Sequence, residues 1–126
     1  MPATEIHAYR DRSGDIPVTD WLENLEGSEP EAYAKCLARI LELSERGYEM
    51  RRPHADYLRD GIYELRANGT PYRILYFFHG KNVVVLSHGI RKKSKVPPRD
   101  IDVAIQRASE VRKSPVAHIA EFNLEG

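Results

Sequence analysis

Glu64, Arg73 and His88 lie on consecutive β-type segments of this chain and are followed by the basic run Arg91-Lys92-Lys93-Ser94-Lys95. A carboxylate, a guanidinium and an imidazole are the parts that metal-free RNA cleavage by internal transphosphorylation requires. A base removes the ribose 2′-hydroxyl proton, a cation stabilises charge gathering on the phosphorane oxygens, and an acid protonates the leaving 5′-oxygen. The competing reading is structural, with Glu64 and Arg73 as a cross-strand ion pair of a few tenths to about 1 kcal/mol and His88 as a satisfied strand-end histidine. The basic run carries four positive charges in five residues and no acid, so it needs solvent or anions around it. Phosphates fit that need and bind with release of counterions. An acidic protein partner or a solvated loop would fit it too.

Whether these residues meet depends on the strands that carry them. Gly61 to Ala67, Thr70 to His79 and Asn82 to Ile90 are rich in Tyr, Ile, Val and Phe, and Asn68-Gly69 and His79-Gly80 separate them. Asn-Gly is a strong hairpin signal because both residues tolerate positive φ, so a three-stranded antiparallel meander is predicted. Two-residue turns at Asn68-Gly69 and Gly80-Lys81 place Glu64 opposite Arg73 and Arg73 opposite His88, one row across three strands. Alternation puts Arg66, Ile62, Leu75, Phe77, Val84 and Leu86 on the face of that row. Tyr63, Leu65, Tyr72, Ile74, Tyr76, Phe78, Val83 and Val85 fall on the other, the expected core under the helices.

The helices that must cover this sheet are also readable. A short strand is expected over Glu5 to Arg10. Asp15 as N-cap with Pro17 in the first turn, then Val18, Trp21, Leu22 and Leu25, predict a helix ending near Gly27. Ser28 with Glu31 has the spacing of a capping box, ahead of a stripe of Tyr33, Leu37, Ile40 and Leu43 with Gly47 as the stop. Tyr48 to Asp60 is polar and irregular and reads as a connecting loop that adds Arg51, Arg52, His54 and Arg59 beside the sheet. Pro97-Pro98 opens a last helix with the stripe Ile101, Ala104, Ile105, Ala108 and Val111. His54 and His118 read as surface residues.

Composition narrows the class. The chain has 126 residues, 41% of them hydrophobic and 30% charged, and its apolar runs fall short of a membrane span, so one globular domain over 1–113 with a tail at 114–126 is expected. Met1 to Arg10 lacks the layout of a signal peptide, which implies a cytoplasmic protein. Cys36 is the one cysteine, placed at helical spacing among core residues, and no zinc spacing is present. Net charge is zero, yet Asp15 to Ala34 holds six acids and no Lys or Arg, while Lys81 to Arg99 holds six bases and no acid. A uniformly basic nucleic-acid binder is thereby excluded in favour of a dipolar chain.

The ordered set Leu58, Gly61-Ile62-Tyr63-Glu64-Leu65-Arg66, Tyr72-Arg73-Ile74-Leu75-Tyr76, Val83-Val84-Val85-Leu86-Ser87-His88-Gly89, Lys92-Lys93, Lys95 and Pro97 resembles the phage-derived HigB-like toxins of the RelE/ParE superfamily. The resemblance covers most of the chain. It implies an α+β, RelE-like fold related to microbial ribonucleases, an antiparallel β-sheet with two N-terminal helices packed on one face and a C-terminal helix. It further implies a type II toxin that cleaves messenger RNA in the ribosomal A site without metal or cofactor. A small antitoxin, usually a helix-turn-helix repressor in this branch, would inhibit it. Arg73 matches the family's phosphorane-stabilising strand arginine, Arg91 a second arginine after the last strand, and Lys92, Lys93 and Lys95 the basic loop that holds RNA. Arg66 is added as an RNA-orienting cation on the same face.

Two departures accompany the match. Ile62 and Glu64 stand where RelE-type members carry lysines, and Pro97 stands where they carry a late tyrosine. The proton-transfer groups are therefore assigned from the strand register alone, to Glu64 and His88. The alternatives are a ParE-like gyrase poison with the same fold and a non-catalytic member that binds its antitoxin and regulates transcription. The oligomeric state is left open.

Overall fold

Pro17, Pro30 and Pro98 each occupy the first position of a long helix, where the missing N–H has no intrahelical partner to lose. The computed structural model describes residues 4–124. In chain order they form β1 (Glu5–Tyr9), α1 (Pro17–Ser28), α2 (Pro30–Arg46), a 3-10 turn (Gly47–Glu49), β2 (Ala55–Arg59), β3 (Ile62–Arg66), β4 (Tyr72–Phe78), β5 (Val83–Arg91), α3 (Pro98–Lys113), α4 (Pro115–His118) and β6 (Ile119–Glu121). The strands make one sheet in the order β2-β3-β4-β5-β1-β6, antiparallel except for the β1–β5 pair. The α+β class is as expected, with α1 and α2 on one face and α3 on the other.

No side chain caps these helices, contrary to the expectation for Asp15 and for the Ser28–Glu31 pair. Asp11 instead accepts the N–H groups of Ser13 and Asp15 in the turn before α1, and the Ser28 hydroxyl donates back to the Asn24 carbonyl. The stripe of α2 buries Ala32, Cys36, Ile40 and Leu43, with Tyr33 and Leu37 at its margin, and Gly47 ends the helix at φ 53°. Against α1 and α2 the sheet presents Leu65, Ile74, Tyr76, Val84 and Leu86. Ile62, Leu75, Phe77 and Val85 meet Ile101, Ala104, Ala108 and Val111 of α3 on the far side.

The strand register differs from the predicted one at both turns. Between β3 and β4, Ala67 pairs with Tyr72 around a four-residue loop, so Arg66 faces Arg73 and Glu64 faces Leu75. Pro71 has no N–H to offer the ladder, and the Thr70 hydroxyl donates to the Ala67 carbonyl at 2.6 Å while accepting the Tyr72 N–H at 3.1 Å. Between β4 and β5, His79 N–H bonds the Val83 carbonyl across a three-residue turn, which inverts the faces of Val83 to Leu86 relative to the two-residue reading. A β-bulge at Ser87 then absorbs one more residue and returns His88 to the α3 side, opposite Leu75. The predicted Glu64–Arg73–His88 row is thus replaced by Glu64–Leu75–His88 and Arg66–Arg73–Ile90.

Two segments are more ordered than the sequence suggests. Ala55–Arg59, read as loop, is the edge strand β2 on β3. The tail continues as α4 and as β6 paired to β1, with Phe122 and Leu124 packed on the helical core. His118 is buried rather than exposed, stacked on Tyr9 at 5.6 Å and donating to the Arg10 carbonyl at 2.9 Å, and His54 is half-buried 2.9 Å from Glu42. Among the described residues no helix is long and apolar enough to cross a membrane.

Candidate functional site

Glu64 is 3% exposed, and both of its carboxylate oxygens accept from arginine: Oε1 from Arg73 Nη1 at 2.8 Å and Oε2 from Arg66 Nη2 at 3.1 Å. The Arg73 contact is diagonal, because Arg73 sits two positions from the residue directly opposite Glu64. Arg66 also lies 3.6 Å from Asp56 on β2, and Asp56 accepts from Arg52 Nε at 2.9 Å. Alternating charges therefore run Arg73, Glu64, Arg66, Asp56, Arg52 from the middle of the sheet to its β2 edge. Burial of Glu64 is tolerable only because two charge-assisted hydrogen bonds replace its water. The bond to Glu64 in turn pushes the Arg66 guanidinium pKa up.

The basic loop closes over this run. Arg73 Nη2 donates to the Lys93 carbonyl at 3.3 Å, tying the loop to the sheet, and Arg91 to Lys95 are all exposed. Between loop, sheet and the start of α3 lies a groove of about 400 Å³, lined among others by Asp56, Glu64, Arg66, Arg73, Lys95 and Ile101. Arg59 lines it too, turned toward Asp102 at 2.8 Å and Asp60 at 3.0 Å. A cavity of about 460 Å³ between β1 and α2, walled partly by Ile6, Leu41, Phe122 and Leu124, has no such convergence of cations. Among the described residues, no group of three or more His, Cys, Asp or Glu side chains is placed to hold a metal ion.

Of the residues singled out from sequence, Glu64, Arg66, Arg73 and Lys95 come together, with Lys92 and Lys93 on the overhanging loop. His88 does not join them. It neither faces Arg73 nor lines the groove: Nε2 donates to Asp100 at 3.2 Å and Nδ1 accepts from the Ser87 hydroxyl at 2.7 Å. Burial, and next the nearby Arg107 guanidinium, hold its pKa below the ordinary 6.5, against the opposing pull of Asp100. Arg91 pairs with Tyr72 and stands beside that hydroxyl on the α1–α2 side, away from the groove. Tyr72 itself donates to Glu29.

Arg52, Asp56 and Arg59 are the groove residues that sequence reasoning assigned only to a charged loop. Asp56 and Arg59 lie on β2, whose five residues Ala-Asp-Tyr-Leu-Arg are too few and too weakly alternating to separate a strand from irregular chain, and Arg52 precedes it. Chemically, the groove presents guanidinium groups held by Glu64, and the exposed Lys95, to an anion, with planar donors suited to phosphate oxygens. Glu64 orients those donors, since both its oxygens are already engaged.

No curated protein matches this chain. The family profile described as phage-derived protein Gp49-like (DUF891) matches residues 20–109, a span that takes in most of α1, all of α2, the groove strands, the basic loop and most of α3. By that match the chain belongs to the phage-derived Gp49-like family, a family of the RelE/HigB-like toxin type.

Proposed function

We propose that this protein is the toxin of a type II toxin–antitoxin pair, a HigB-like endoribonuclease that cleaves messenger RNA on the ribosome and slows translation. The observation that carries the reading is the Arg73–Glu64–Arg66 arrangement under the Lys92 to Lys95 loop, which presents oriented cations along a groove of nucleotide dimensions. Arg66 and Arg73 hold the scissile phosphate. As the 2′-oxygen attacks, charge accumulates on the non-bridging oxygens, and donors already fixed by Glu64 gain most at that point. Lys92, Lys93 and Lys95 hold flanking phosphates.

Glu64 acts in this mechanism as a positioning residue and His88 as an anchor for the start of α3 through Asp100. Both assignments revise the proton-exchange roles read from the strand register, and water at the open groove carries the protons. The inhibitory partner is a small antitoxin, proposed to be a helix-turn-helix protein. No cofactor enters.

Induction of the chain without antitoxin, with growth curves and transcript-end mapping, tests the reading. Growth arrest with discrete new ends inside coding regions is expected from the parent, and Arg73→Ala is expected to lose on the order of 100-fold or more in cleavage. An Arg73→Ala variant as inhibitory as the parent would refute the assignment. DNA breaks in place of mRNA ends would identify a gyrase poison, and antitoxin binding without toxicity would identify a regulatory protein.

A further inference from the structure

Edge strand β2 separates the arginine groove from a second concavity of about 630 Å³, whose walls include Tyr48, Met50, Arg51, Tyr57 and Tyr63. Arg52, Asp56 and Tyr57 line both, so the two are continuous around the edge of the sheet. Tyr48 at 50% and Tyr57 at 53% are the aromatic side chains that stand exposed among the described residues, and both belong to this concavity. Their rings are fixed from behind. Tyr48 stacks on Phe78 with centroids 3.7 Å apart and planes 14° apart, and Tyr57 packs edge-on against Tyr63 at 5.1 Å. The Tyr57 hydroxyl accepts the Gly61 N–H at 3.1 Å, which sets the ring's direction.

Rigid aromatic faces beside cations are what a nucleobase and its phosphates require. Bases offer a π-face whatever their identity, and an unstacked base regains on tyrosine the contact it gives up in leaving its neighbours. Arg52, with 75% of its side chain exposed, stands at the boundary where the connecting phosphate would pass. We propose that this concavity is a base-binding subsite: it takes one splayed-out base of single-stranded RNA, while the adjoining phosphates follow Arg52 around β2 into the Arg66–Arg73 groove. The inference rests on the RNA-cleavage reading and deepens it. It makes the substrate an unpaired strand and the subsite tolerant of base identity, because stacking rather than edge hydrogen bonding does the holding.

Fluorescence anisotropy with a short labelled 2′-O-methyl RNA, which cannot be cleaved, tests this directly across a salt series. Tyr57→Ala and Tyr48→Ala are expected to weaken binding by roughly 5- to 150-fold with an unchanged salt slope, since no phosphate contact is lost. Tyr57→Phe, which keeps the ring and loses only the hydroxyl's hold on the Gly61 N–H, should weaken binding less than Tyr57→Ala, and Arg66→Ala should flatten the slope by about one counterion. With the unaltered protein, an RNA carrying an abasic nucleotide at the stacked position should bind as weakly as intact RNA binds Tyr57→Ala, a comparison independent of how the variants fold. Equal binding of intact and abasic RNA, tyrosine-to-alanine variants that bind like the parent, or a parent that ignores this RNA would each overturn the subsite. Transcript ends judge the cleavage reading separately, so the two failures are distinguishable.

Discussion

Glu64 sets the charge balance of the groove, because without it Arg66 and Arg73 face each other across adjacent strands. Glu64→Gln keeps the shape and removes the charge, leaving partly exposed guanidiniums with a weaker acceptor. A loss of about 1–3 kcal/mol in urea unfolding is expected, and added polyphosphate should restore more stability to the variant than to the parent. A variant as stable as the parent, with no extra response to polyphosphate, would show that Glu64 does not organise the arginines. His88 supplies a pH dependence of known sign. Its folded-state pKa lies below the ordinary 6.5, so between the two values the unfolded chain binds more protons. Its contribution to stability is complete above about pH 6.5 and declines as pH falls below that value. Thermal unfolding over this range should show a shallower decline in His88→Gln than in the parent; identical slopes would remove His88 as the cause.

At the level of elements, the turns and one bulge decide what the strands bring together. Asn68-Gly69 does mark a hairpin, but Pro71 and the Thr70 hydroxyl lengthen its loop and slide Arg73 from Glu64 to Arg66. That slip is two residues, so every side chain of β4 keeps its predicted face relative to β3, and the Glu64–Arg73 pair survives as a diagonal contact. The slip at β5 is one residue, so Val84 and Leu86 change face until the Ser87 bulge corrects it. Just beyond the bulge, Gly89 lies under α1: a Cβ there would come within 2.2 Å of the Trp21 ring. Gly89→Ala is therefore expected to cost about 1–3 kcal/mol by overpacking, with a lower melting temperature and altered Trp21 fluorescence. An unchanged melting temperature would mean that α1 moves freely over the sheet.

Across the whole molecule, a neutral net charge is divided between opposite sides. The acidic stretch from Asp15 to Ala34 forms α1 and the start of α2 on one face of the sheet, while the cationic groove opens on the other. A neutral chain can thus offer a polyanion a local field that its total charge does not reveal. The C-terminal segment belongs to the same structural unit: β6 extends the sheet beside β1, Ala120 is buried, and Phe122 and Leu124 pack on the core. Removing residues 119–126 is expected to cost about 2–4 kcal/mol from lost apolar burial, read as an earlier denaturant midpoint. A truncated chain with the parent's midpoint would show that the segment adds nothing to the fold.

Periodicity and turn chemistry in the sequence were sufficient for the α+β class, the three long helices, the β3–β5 meander and the cationic loop, because each is written in contacts a few residues apart. The meeting of Glu64 with Arg73 and Arg66 was also within reach, since a two-residue slip conserves strand faces. Tertiary structure alone decided that β2 is a strand, because a five-residue edge segment is stabilised by its neighbour rather than by its own pattern. It alone turned His88 from Arg73 to Leu75 and tied its ring to Asp100. The physical reason is shared: side-chain alternation makes each position depend on the number of residues in a turn or bulge, and long-range pairing chooses that number.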